Sequence, residues 1–315
     1  MMRTITLEES VDLAHPVVTV GTFDGVHTGH ASVVASTLEC ARKHNGTSVV
    51  ITFDPHPRQV IDPTTAPGLL TSLAEKQDRL EALGVDVLAV IRFDASVQHL
   101  SPEAFVRQFL VEKLNAKSVI VGYDHSFGKD RQGGLETMLG LGKSFGFSVE
   151  SPPASLVDGA PVSSTRIREA LAKADMSTLL DLMGNPYPLW GRVVEGEKRG
   201  RSLGFPTANL EIETPGKLMP PAGVYTGLVR LDKPYLAVVN YGKRPTFGGQ
   251  KESCEVHLLN FSQDLYGRVL PLEICHRIRG EREFESKEAL IEQIRFDIQS
   301  AEQMFLQSNT TLLRR

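Results

Sequence analysis

Val17-Val18-Thr19-Val20 is a short run of β-branched, mostly apolar residues, and Gly21-Thr22-Phe23-Asp24-Gly25-Val26-His27-Thr28-Gly29-His30 follows it directly. Val33, Val34 and Leu38 then recur at helical spacing. A buried strand, a glycine-rich turn and an amphipathic helix in this order open a βα unit. Two histidines three residues apart at a helix start project on one side, where free backbone N–H groups and the helix dipole favour an anion. Gly21, Gly25 and Gly29 let the backbone approach phosphates closely, and imidazole can donate to phosphoryl oxygens as charge builds in a transition state. The pair therefore suits a nucleotide triphosphate. The alternative is a solvent-facing loop with a helix-capping histidine.

Working outward, Ser48–Phe53, Val85–Ile91 and Ser118–Val121 read as further buried strands, with helical pattern between them. Ser101-Pro102-Glu103 supplies an N-cap, a first-turn proline and an early acid, followed by Phe105, Phe109, Leu110 and Leu114 at helical spacing. Repeated βα units predict a parallel sheet with helices on both faces and ligands at the carboxyl ends of its strands. Two loops stand at such ends: Thr52-Phe53-Asp54-Pro55-His56-Pro57 and Val121-Gly122-Tyr123-Asp124-His125-Ser126-Phe127-Gly128. Phe53, Pro55, Pro57 and Phe127 could wall an aromatic ring system with Asp124 as its polar anchor, or could be rigid turns with core aromatics. Pro161-Val162-Ser163-Ser164-Thr165-Arg166-Ile167-Arg168 opens another helix. Its hydroxyls and guanidinium forks fit a β,γ-phosphate clamp; simple N-capping by Ser163 or Ser164 is the alternative. Gly140-Leu141-Gly142-Lys143-Ser144 imitates the end of a P-loop, but Thr137 stands where that loop needs glycine, so a helix ending near Gly146 is expected.

From about residue 187 the pattern changes to short β-type runs separated by Gly/Pro turns, with one amphipathic helix closing the chain through Leu290, Ile294, Ile298, Ala301 and Phe305. This predicts a small β-barrel or sandwich. Gly184-Asn185-Pro186-Tyr187-Pro188 reads as the linker. The stretch from Gly196 to Leu210 contains Gly196, Gly200 and Gly204 and then extended chain. Residues two apart in extended chain face one way, so the Thr207 hydroxyl and Asn209 amide converge, a hard-oxygen pair suited to Mg²⁺ on ATP. A turn-rich barrel connection is the alternative. Glu255 and His257 share a face of the alternating run Cys254–Phe261. A carboxylate there needs a task or a partner: it is a general base for an alcohol attacking a phosphate, or one half of a salt bridge.

The 315 residues, 41% hydrophobic and 23% charged, suffice for about two domains with buried cores. No apolar run reaches the ~20 residues a bilayer crossing needs. The amino terminus lacks a secretion signal or transit pattern, so a cytoplasmic protein is expected. Cys40, Cys254 and Cys275 lack metal or disulfide spacing and are expected to be reduced core residues. Net charge is −6 before Tyr187 and +2 from it onward. Neither half has the basic excess of a nucleic-acid binder.

Taken together, GTFDGVHTGH, TFDPHP, VGYDHSFG and VSSTRIR resemble the nucleotidyltransferase-like Rossmann domain of the bacterial bifunctional riboflavin kinase/FMN adenylyltransferase family. GRSLGFPTANL, GVYTG, NYGKRPTF, EVHLLNFSQDLYG and IRGEREF resemble its riboflavin kinase barrel. The resemblance spans nearly the whole chain. It implies an adenylyltransferase domain at 1–184 and a Greek-key-type kinase barrel with a carboxyl-terminal helix at 185–315. It implies ATP, riboflavin and FMN as ligands, Mg²⁺ with the ATP, and no nucleic acid, membrane or obligate protein partner. Position by position, it assigns His27 and His30 to the α-phosphate. ATP is further assigned Gly21, Phe23, Asp24, Gly25, Ser164, Thr165 and Arg166, the last three at the β,γ-phosphates. Phe53, Pro55, His56 and Phe127 flank flavin or shape its pocket, and Asp124 matches a position that varies in the family. In the barrel, Gly200, Thr207 and Asn209 serve ATP, Thr207 and Asn209 the metal, Glu255 is the base, and Arg279 lies near a flavin-side flap. Tyr241 stands where small aliphatic residues are common. Rival readings are a single-function nucleotidyltransferase for another phosphate ester with a binding-only barrel, a flavin-binding protein with dead sites, and a relative of class I tRNA synthetases.

Overall fold

The computed structural model describes residues 1–123, 127–129, 132–196, 200, 203–246 and 249–308, the side chains of 243–251 and 308 excepted. The chain divides into two compact units, Met1–Ser164 and Thr165–Arg315. Among the described residues no helix is long and apolar enough to cross a membrane.

The first unit is built on six parallel strands: β1 (Arg3–Thr6), β2 (Val17–Val20), β3 (Ser48–Asp54), β4 (Val87–Arg92), β5 (Ser118–Ile120) and β6 (Ser148–Glu150), in the order β1-β4-β3-β2-β5-β6. Its helices are α1 (Thr28–Lys43), α2 (Pro57–Ile61), α3 (Leu73–Ala82), α4 (Ala95–Gln98), α5 (Pro102–Phe105) and α6 (Leu135–Phe145). A hairpin, β7 (Leu156–Val157) and β8 (Ala160–Pro161), follows them. Both sheet faces are covered, which is why the central strands are apolar without alternation. On one face Val18, Val49, Ile51, Val87, Ala89 and Val119 pack with Phe105, Phe109, Leu110 and Met138. On the other, Val50 and Leu88 meet Phe23, Val34 and Leu80. Ser101 caps α5 as expected, but the same run continues as a π-helix over Val106–Lys113. Gly146 ends α6 in the left-handed conformation, so the P-loop-like run is helical. The chain leaves β2 toward β3 on one side and β5 toward β6 on the other. The order therefore reverses between β2 and β5, and open α/β sheets place their ligands outside the carboxyl ends at such a point.

The second unit carries α7 (Ser164–Ala172, beginning at the division), α8 (Met176–Met183) and an antiparallel sheet of β9 (Tyr187–Pro188), β10 (Gly191–Val194), β11 (Ala208–Glu211), β12 (Gly223–Arg230), β13 (Pro234–Thr246), β14 (Gly249–Leu258), β15 (Val269–Leu270) and β16 (Leu272–Arg279). The order is β15-β10-β11-β14-β13-β12-β16-β9. Its two ends are halves of the same strands. Tyr187 faces Ile274, Pro188 faces Glu273, Gly191 faces Leu270 and Arg192 faces Val269 in one continuous register, with Leu189 N–H donating to Leu272 O at 2.8 Å between them. The sheet thus closes on itself as a Greek-key barrel. Tyr225, Leu228, Val239, Val256, Leu270 and Leu272 are buried. The last helix, α9 (Lys287–Ser308), lays Ile298 and Ala301 over Val224 and Val238.

The Gly184–Pro188 segment, expected as the linker, folds as a helix end and a strand. Gly184 ends α8 in the left-handed conformation, and Tyr187–Pro188 closes the barrel with Tyr187 fully buried. Its hydroxyl donates to Leu218 O at 2.7 Å, and Lys217 Nζ lies 4.6 Å from its ring centroid while donating to Pro188 O. The division falls twenty residues earlier, between Ser164 and Thr165. Prolines mark linkers and strand ends alike, so composition did not separate the two. The three cysteines are free and buried.

Candidate active sites

In the first unit, the loop after β2 takes a conformation that side chains resist. Phe23 (φ 47°) and Val26 (φ 40°) occupy the left-handed region beside Gly25 (φ 93°). Surrounding bonds hold it there. The buried Asp24 carboxylate accepts from Leu70 N (2.9 Å) and Thr71 N (3.1 Å), and Thr71 Oγ1 accepts from Gly25 N (2.9 Å). Thr52 Oγ1, at the end of β3, donates to Thr22 O, and Ser164 Oγ donates to Asp24 O, both at 3.0 Å. Phe23 is buried against the His30 ring, and a Cβ on Gly21 would lie 3.1 Å from the Phe23 ring. The Asp24 carboxylate, expected to serve ATP, thus holds loop backbone, and the Phe23 ring packs beside His30. Thr52 and Thr71 were missed in the sequence, since a buried threonine carries no motif.

His27 is the N-cap of α1, and the capping and anion-binding readings of the pair both find support. His27 Nδ1 accepts from His30 N (3.2 Å), and His30 Nδ1 accepts in return from His27 N (3.3 Å), a capping box made of two imidazoles. The rings stack with centroids 3.6 Å apart, 16° from parallel. Burial pushes His27 down to about 4, with Asp24 opposing; burial and the charges of His27 and Lys76 hold His30 well below its usual range. Both rings are therefore neutral at pH 7. With each Nδ1 accepting, the proton of each ring sits on Nε2. The caps thus leave two parallel N–H donors at a helix N-terminus, at the crevice where the strand order reverses.

Beside that crevice Phe53, half-buried at the end of β3, meets Phe93 edge-on (5.6 Å) and leans on Phe105 (6.2 Å). Phe127 is buried against Phe105 (6.2 Å). Pro55 is exposed, and His56 caps α2 by accepting from Arg58 N at 3.1 Å. Asp124 lies outside the described residues. The structure gathers Gly21, Phe23, Asp24, Gly25, His27, His30 and Ser164 in the first unit, whereas Thr165 and Arg166 stand in the first turn of α7, beyond the division.

In the barrel, β11 and β14 pair with Asn209 directly opposite Glu255. Thr207 Oγ1 donates to Glu255 Oε2 at 3.4 Å, and His257 Nδ1 lies 2.7 Å from Pro206 O. Alternation puts Asn209 and Glu255 on the face opposite the buried Val256 and Leu210. Glycine is a steric requirement here: a Cβ on Gly196 would overlap the Asn209 amide, and one on Gly200 would lie 3.0 Å from Thr207 Oγ1 while overlapping Phe205 O. Arg279, expected near a flavin flap, is tied by its Nε and Nη2 to the buried Asp297 of α9 at 2.8–3.1 Å. Among the described residues no group of three or more His, Cys, Asp or Glu could hold a metal.

The FAD synthetase family model matches residues 10–166, and the riboflavin kinase family model matches 183–305. The bifunctional riboflavin kinase/FMN adenylyltransferase of Haemophilus influenzae is 39% identical, over 91% of this chain and 93% of its own. Those of Escherichia coli K12 (37%, 92% of each chain) and Bacillus subtilis (36%, 93% of each) are similar over the same span. A crystal structure described as a macrolide-efflux protein of Streptococcus pneumoniae, 30% identical, shares the fold with a TM-score of 0.85 over 96% of this chain and 99% of its own. With both family models matched in order on the two units and full-length relatives above 30% identity, the chain belongs to the bifunctional riboflavin kinase/FMN adenylyltransferase family.

Proposed function

We propose that riboflavin is phosphorylated on the barrel and that the resulting FMN is adenylylated on the parallel-sheet unit, each with ATP, in the cytoplasm. The observation that carries this assignment is a contrast in the two residue sets. Beside Thr207 and Asn209 the barrel offers a carboxylate, whereas the other site offers neutral N–H donors at a helix start.

Riboflavin's 5′-hydroxyl is neutral and gains from a base. Glu255 takes its proton as the oxygen attacks the γ-phosphorus, and ADP leaves. The FMN phosphate is already an anion and needs none. One of its oxygens attacks the α-phosphorus of ATP in line, and pyrophosphate leaves. His27 and His30 donate from Nε2 to the oxygens on which charge builds, and Ser164 serves the β,γ-phosphates. Phe53 and Pro55 wall the isoalloxazine, with Phe127 behind.

The donor chemistry at Thr207 and Asn209 fits Mg²⁺, a cation that keeps few protein ligands and shares substrate phosphate. When bound, it neutralises phosphate charge. Gly196 and Gly200 leave the room these two side chains need. Purified protein given riboflavin, ATP and Mg²⁺ should form FMN and then FAD, followed by chromatography with fluorescence detection. Absence of FMN under those conditions would refute the assignment.

A further inference from the structure

Lys76, on α3, is only 5% exposed. Its Nζ donates one hydrogen bond, to Thr52 Oγ1 at 3.0 Å, and pairs with no carboxylate among the described residues. An ammonium carries three donors, and burial penalises a charge whose hydrogen bonds are incomplete. Asp24 and Asp54 lie near enough to favour its charge, and Lys76 near enough to His30 to disfavour protonation there. The Asp24 carboxylate is already engaged by Leu70 and Thr71. Thr52, its one partner, in turn holds Thr22 O of the loop that carries the two histidines. A half-satisfied cation at the root of an anion site is what a site awaiting a phosphate contains.

We infer that Lys76 is a further substrate-binding residue of the adenylyl-transfer site, its ammonium completing its hydrogen bonds on a phosphate oxygen of ATP or of FMN. This rests on the adenylyl-transfer reading above. Lysine suits the task as a compact point charge with rotatable donors, and its long stem lets it reach from α3 while packing in the core. No motif marked it, because in sequence it is one charged residue of an ordinary helix.

The test uses the full chain, where riboflavin phosphorylation reports independently on the integrity of the protein. Lys76→Met should lower FMN-to-FAD conversion by roughly 10²-fold or more, on the scale of a lost charge-stabilising donor, and leave FMN formation unchanged. Calorimetry with a non-hydrolysable ATP analogue and, separately, with FMN then names the source: the phosphate that Lys76 holds is the one whose affinity drops at least tenfold. Should the variant's first unit fail to fold, lysine-labelled wild-type protein gives the answer by NMR. Lys76 is recognised there by its titration near pH 8, where burial has pushed it. Its midpoint should rise on adding the phosphate it holds. Wild-type rates and affinities in a folded variant, or a midpoint that neither ligand moves, would overturn the inference. Wild-type protein that makes no FAD would instead overturn the underlying reading.

Discussion

In the paired imidazoles a folding contact sets the chemistry proposed for the same rings. Each Nδ1 is consumed by a cap, and the cap leaves the ring proton on Nε2, the nitrogen proposed to donate to phosphate. His30→Ala should therefore cost roughly 10²–10³-fold in FAD formation, measured with FMN and ATP supplied. The depressed titration of His27 also makes a stability statement. An unfolded histidine binds its proton near pH 6.5, whereas in the fold His27 does so only near 4. As pH falls below 6.5 the unfolded state gains protons that the folded state refuses, so stability declines toward pH 4, by about 3 kcal/mol in all. Thermal melting of the first unit between pH 7 and 5 should show that loss. His27→Asn keeps a capping side chain but has no such titration, and should make the dependence shallower, leaving the part that the likewise depressed His30 contributes.

At the scale of elements, turn chemistry decides where functional side chains can stand. Gly196→Ala would drive a methyl into the Asn209 amide and should lower riboflavin phosphorylation about 10²-fold with FAD formation from added FMN unaffected, as parallel assays would show. Much of this scale was legible in sequence. The strand at Val17–Val20 has the predicted bounds, and the apolar spacing after Ser101 finds its core. What was not legible has physical causes. β1 and β6 are short and mostly exposed edge strands with no apolar run to betray them. The π-helical register of Val106–Lys113 leaves the i, i+4 apolar pattern intact. Tyr187–Pro188 looked like a linker because what makes it a strand is its partner, Glu273–Ile274, almost ninety residues away. Tyr187→Ala should cost the barrel about 3–5 kcal/mol in denaturant unfolding, the range for emptying a buried aromatic site.

For the whole molecule, each site is legible from sequence to a different depth. Glycines, histidines and the Thr207, Asn209 and Glu255 set announce themselves by motif. The buried supports Thr52, Thr71 and Lys76 do not, because their meaning comes from contacts between α3, β3 and the loop after β2. Total charge was silent as well. The proposed phosphate sites rest on oriented N–H groups and single cations, which a sum over −6 and +2 cannot register. The central claim is that one chain carries two chemically distinct phosphate-transfer sites, one with a base and one without. It is tested most directly by assaying both reactions in full-length Glu255→Gln and His30→Ala. Glu255→Gln should lower FMN formation by roughly 10²-fold or more and leave FMN-to-FAD conversion intact, and His30→Ala should do the reverse. Loss of both activities in either folded variant would contradict the account.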